Sequence, residues 1–199
     1  MSAFSTLLRW FSALNATLLR VGRSIGWVML LAMVAIILAQ IFWRYVLNNA
    51  LPWPEEAARA LMIWMMALVA PTAYRRAGFV AIDMVPDMMP PRARSVLMLV
   101  ILGLSLMALV VMLGHAWTHF SSPILFNSSG LNRLLQDSGL NQALGTSFEF
   151  RTSYIYLAMS VCVGLLIAVN VELILRQIGS FLGLDAEPRP AMATPMEAE

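Results

Sequence analysis

Four long apolar runs separated by polar connectors fix what this chain can fold into. From Ile25 to Trp43 the sequence reads IGWVMLLAMVAIILAQIFW, a run without a charge. At about 1.5 Å per residue such a run reaches roughly 28 Å, close to the thickness of a bilayer's hydrocarbon core. Three more runs follow, at about Ala57 to Tyr74, Ser95 to Trp117 and about Ser153 to Leu175. Of the 199 residues, 60% are hydrophobic and 12% charged, with a mean hydropathy of +0.75, so too few polar residues remain to clothe a water-soluble globule. The pattern predicts an all-α integral membrane protein with four transmembrane helices. The length leaves no room for a long transporter built from repeated halves.

Orientation follows from the arginines, which are the only basic residues apart from two histidines. Arg9, Arg20 and Arg23 precede the first span, Arg75, Arg76, Arg92 and Arg94 lie between the second and third, and Arg176 and Arg189 follow the fourth. Only Arg44, Arg59, Arg133 and Arg151 fall on the other side. Because basic flanks are retained in the cytoplasm, the N-terminus, the second connector and the C-terminus are expected there. The net charge of +2 is scattered along connectors and forms no basic patch, so nucleic acid is not an expected partner. The single cysteine, Cys162, lies in an apolar run without a second thiol, which excludes an intrachain disulfide and reads as a packing residue.

The first apolar run begins downstream of three arginines and lacks a small-x-small cleavage site, so it is read as a retained span and not a signal peptide. Ahead of it Phe4, Leu7, Leu8, Phe11, Leu14 and Leu18 recur at helical spacing, with Ser5, Arg9, Ser12 and Arg20 mostly elsewhere. That pattern suits an amphipathic segment lying on the membrane surface, or equally a stretch packed against the other helices. Residues 77–91 put Phe79, Ile82, Val85 and Met89 on one side and Asp83 with Asp87 on the other, as in a short interfacial helix between spans two and three, ended by Pro90 and Pro91. Residues 118–152 form a long outer connector, and its length suggests a function. Residues 1–184 are therefore read as one membrane domain. Residues 185–199, rich in proline and alternating charge, are read as a disordered cytoplasmic tail.

Chemistry is sparse. A charge held in hydrocarbon is costly and is kept where it is used, yet none of the spans has an acidic or basic residue near its middle. Gln40, His115, Asn170 and Glu172 fall within a turn or two of span ends, where water or headgroups are in reach. His115 and His119 share one helix face, but no HExxH pattern accompanies them, and a bis-histidine haem needs ligands from two helices. No GxSxG, paired buried carboxylates or Cys–His pair appears, so neither an enzyme nor a bound cofactor is expected.

The stretch RYVLNNALPWPEEAARALMIW, Arg44 to Trp64, links the first two spans. Pro54 suits the first turn of a helix, Glu55 and Glu56 fall where the helix dipole favours negative charge, and Glu55 can pair with Arg59 one turn later. Ordinary capping accounts for this, but two adjacent carboxylates at a membrane edge also suit a basic partner. After the second span comes TAYRRAGFVAID, in which Arg75 and Arg76 read as positive-inside anchors.

Taken together, these two stretches resemble the small membrane subunit of tripartite ATP-independent periplasmic (TRAP) transporters, the DctQ-type family. The family pattern has an arginine–tyrosine pair ending the first span, an LPWxEE turn, an arginine in the next helical turn, a tryptophan in the second span, and then RRxGHxxVD. Here those positions are Arg44, Tyr45, Leu51, Pro52, Trp53, Glu55, Glu56, Arg59, Trp64, Arg75, Arg76, Gly78 and Asp83. Two features depart from it: Phe79 stands where the histidine is usual, so no role of that histidine carries over, and the connector 118–152 is longer than the family's short link.

The resemblance implies a three-part importer. A soluble periplasmic protein captures a small organic acid, a large membrane permease carries it inward with sodium, and the small subunit braces the permease in the bacterial inner membrane. On this reading Glu55 and Glu56 help dock the periplasmic protein, while Arg75, Arg76 and Asp83 fix the cytoplasmic connector or hold phospholipid headgroups. The alternatives are a haem-bearing membrane anchor of a respiratory complex, motivated by His115 and His119, and a small oligomeric channel.

Overall fold

The computed structural model describes residues 2–49, 51–77, 90–121, 132 and 153–181. They form four long helices: α1 (Ser2–Tyr45), α2 (Trp53–Ala77), α3 (Pro91–Ser121) and α4 (Ser153–Phe181), with no strand among the described residues. All four are long and apolar enough to cross a membrane, which makes the chain an all-α, four-span membrane protein as the sequence predicts.

Each helix outruns its predicted span. The segment before Ile25 is not a separate helix lying flat: α1 is continuous over 44 residues, roughly 66 Å and about twice the hydrocarbon thickness. Nothing in its sequence breaks it, since neither Gly22 nor Gly26 is followed by a proline. Asn15 and Leu19, in the segment ahead of the first span, are buried, so this stretch packs against the other helices. The α1–α2 turn places Asn48 in the left-handed region (φ 50°), which asparagine tolerates, and returns the Asn49 amide to the Trp43 carbonyl at 3.1 Å. Helix α3 begins at Pro91, where the missing N–H is of no consequence, and runs four residues into the expected outer connector. The predicted interfacial helix, the rest of that connector apart from Asn132, and the tail lie outside the described residues.

The packing has a hub. Helix α4 touches all three others, α1 also packs along α2, and α3 meets neither α1 nor α2 among the described residues. Accordingly α4 buries Ala158, Val163, Val169, Asn170 and Glu172, whereas α3 leaves Val96, Val100, Leu104, Met107 and Val110 exposed. Helix α1 approaches α2 through glycine. A Cβ on Gly22 would stand 3.3 Å from the Leu68 carbonyl oxygen, and one on Gly26 would stand 2.7 Å from Val69 Cγ2. In hydrocarbon there is no hydrophobic force between helices, so close backbone approach at small residues supplies the attraction. The contact lies just before Pro71, a fully buried proline inside α2 whose missing N–H leaves the Ala67 carbonyl without its helical donor.

Gly26→Leu is expected to cost about 2 kcal/mol by overpacking, a fall of roughly 4–8 °C in thermal unfolding in detergent. Val69→Ala should recover part of that loss. Gly103→Ala, which meets open space, should not lower the transition.

Candidate functional site

The polar centre of the molecule is the Glu172 carboxylate, on the hub helix and only 1% exposed. Helices α2 and α4 run in the same direction because a single helix, α3, separates them in sequence. Arg75 lies near the end of α2 and Glu172 near the end of α4, so the two reach one level. Helix α1 runs the opposite way and brings its early residues Ser12 and Asn15 to the same place.

Glu172 Oε1 accepts from Arg75 Nη2 at 2.6 Å and from Arg176 Nη2 and Nε at 2.8 and 3.1 Å. Its Oε2 accepts from Asn15 Nδ2 at 2.9 Å, and the same amide reaches the Ala168 carbonyl at 3.2 Å. Ser12 Oγ accepts from Arg176 Nη2 at 2.6 Å and Arg75 Nη2 at 3.1 Å, and the Ser12 carbonyl accepts from Arg75 at 3.3 Å. Each arginine side chain is about one-fifth exposed. A buried carboxylate is tolerable only when paired and fully hydrogen-bonded, and here three helices supply the donors. Beside it Asn170 Nδ2 donates to the Tyr74 hydroxyl at 2.7 Å.

This cluster corrects the sequence expectation for two residues. Asn170 and Glu172 do not reach out to water or headgroups; both are buried between helices. The physical reason is that α4 continues past Leu175 to Phe181 and is flanked by α1 and α2, so nearness to the end of an apolar run is not nearness to solvent. Arg75, read as an anchor, spends its guanidinium inside the bundle. The signals available were the Glu172–Arg176 spacing of four and the isolated Asn15 within an apolar stripe.

The remaining motif residues are dispersed. Arg44 stands 5.9 Å from the Tyr45 ring at the exposed end of α1. Trp53 opens α2 and is partly exposed, as are Glu56 and Trp64, and Pro54 is buried in the first turn. Glu55 pairs with Arg59 at 3.0 Å as predicted, with both side chains mostly exposed. Arg76 lies in the last turn of α2, and Gly78 and Asp83 lie outside the described residues. His115 and His119 are exposed near the end of α3, with His119 stacked on Tyr156 at 6.0 Å. No cluster of three metal-binding side chains occurs among the described residues. Cys162 is half-buried.

Fold and cluster define a polytopic helical membrane protein whose internal charges are spent on holding its own helices. The model of the family described as tripartite ATP-independent periplasmic transporters, DctQ component, matches residues 33–179, and the chain belongs to that family. It is the small membrane subunit of a TRAP transporter, a transport protein and not an enzyme, and works with the transporter's large permease and substrate-binding protein. No curated protein matches the chain.

Removing one partner of a buried ion pair leaves an uncompensated charge. Glu172→Ala, which strands two arginines, is expected to destabilise the purified chain by about 3–5 kcal/mol. The triple change Glu172→Met, Arg75→Met and Arg176→Met should be far milder, and Arg59→Ala should leave thermal unfolding unchanged. Equal losses for Glu172→Ala and Arg59→Ala would remove the cluster's structural role.

Proposed function

We propose that this chain braces the large permease, holding its stationary part in the bilayer while the mobile part carries a small organic acid inward with sodium. The observation that supports a brace is where the charge goes. The buried ion cluster is consumed internally, and the faces that this chain leaves uncovered on α3 and on the second half of α1, from Leu31 to Phe42, are apolar. Helix faces of that kind pack against other helices and offer no aqueous path. The protein sits in the inner membrane with N- and C-termini cytoplasmic, an orientation supported by the arginine distribution.

Glu55 and Glu56, opening α2 at the opposite end from Arg75, face the periplasm on this orientation and contribute charge for docking the binding protein. Arg76 and Asp83 fix the cytoplasmic connector, and Arg75 joins α2 to α4 and α1.

The test is purification of the tagged chain in mild detergent from its own membranes, followed by mass spectrometry. Recovery of a many-helix permease in equal amount is expected; recovery of the chain alone removes the brace. Charge reversal of both glutamates, Glu55→Lys with Glu56→Lys, should lower uptake by severalfold and leave the membrane complex intact. Unchanged uptake would end the docking role.

A further inference from the structure

The first half of α1 presents three distinct sides, and only one is covered. Asn15, Leu19, Gly22 and Gly26 face the bundle and are buried. Leu14, Leu18, Val21, Ile25 and Val28, spaced alternately four and three apart, form an exposed apolar stripe. The third side carries Arg9, Arg20 and Arg23. Arg9 and Arg20 are eleven residues apart, about three full turns, and Arg23 is one turn further on. Arg9 and Arg20 are exposed and Arg23 is partly so, and none has an ion pair among the described residues. Thr17 and Ser24, between the two exposed sides, turn their hydroxyls back onto the Ala13 and Arg20 carbonyls.

We infer that the arginines on this side of α1 bind the headgroups of anionic phospholipid. Exposed arginines beside the end of a membrane-crossing helix are the complement of an anionic headgroup layer. Position agrees. Ser12 meets Arg75 in the last turn of α2 and Gly22 meets Leu68 two turns earlier, so Arg20 lies between these contacts and Arg23 one residue past them. From there an arginine reaches the headgroup layer by extending its side chain. Arg75 and Arg176, in contrast, are occupied by Glu172. The inference stands on α1 alone and does not depend on the bracing role.

The test uses the full chain in nanodiscs of phosphatidylcholine, with or without a third of phosphatidylglycerol, followed by tryptophan fluorescence during heating. Phosphatidylglycerol is expected to raise the transition by about 5 °C, and 0.5 M salt should reduce that rise, as for contacts at a charged surface. The variant Arg9→Gln, Arg20→Gln, Arg23→Gln should match the parent in phosphatidylcholine and lose the rise, while lysine at the same three positions should keep it. Soluble glycerol phosphate should have no effect. A full rise in the glutamine variant, or an equal rise with glycerol phosphate, would overturn the inference. Should the glutamine variant fail to fold, Arg20→Gln alone decides: about a third of the rise must go, and an undiminished rise overturns it.

Discussion

Everything in the arrangement of α1, α2 and α4 answers to a single carboxylate that cannot stay buried alone. An ionised Glu172 in a low-dielectric setting would be intolerable without compensation. The compensation comes from three different helices, so satisfying the charge also fixes where those helices stand. The network is directional in a way that apolar packing is not. Sliding α2 or α1 by one turn would break the contacts of Arg75 or Asn15, whereas leucine and valine faces tolerate such slips. The cluster thereby sets register, and the glycine contact between α1 and α2 sets spacing.

That division of labour bears on how a small membrane subunit serves a larger machine. A subunit that moves substrate needs polar groups open to a path. Here the buried ion cluster is closed upon itself, and the uncovered faces of α3 and of the second half of α1 are apolar. Among the described residues α3 is attached to α4 alone, which leaves its other faces open. Rigid on one flank and open on the other, the chain suits membership of an assembly better than independent action, in keeping with its place among the DctQ components of TRAP transporters.

The basic side of α1 extends the same theme to the lipid. The chain's arginines divide by environment. Arg75 and Arg176 turn inward to Glu172, Arg59 pairs on the surface with Glu55, and Arg9, Arg20 and Arg23 line one side of α1 away from its buried contacts. A positive-inside count treats the arginines on one side of the membrane alike. Their surroundings do not.

The number of spans, the helical class and the Glu55–Arg59 pair were legible in the sequence, because each depends on local spacing: about twenty apolar residues to cross a bilayer, four residues to return to one helix face. The family was legible too, since its motifs are contiguous. The sequence by itself could not say that Glu172 is buried or that Arg75 is its partner. Those two residues are almost a hundred positions apart, and their meeting depends on which helices are neighbours and at what register. Nor could it choose between a surface helix and a packed one for the start of α1, because the same amphipathic spacing serves both. Tertiary structure decided those points, for the physical reason that a charge leaving water must find its partners wherever the fold supplies them.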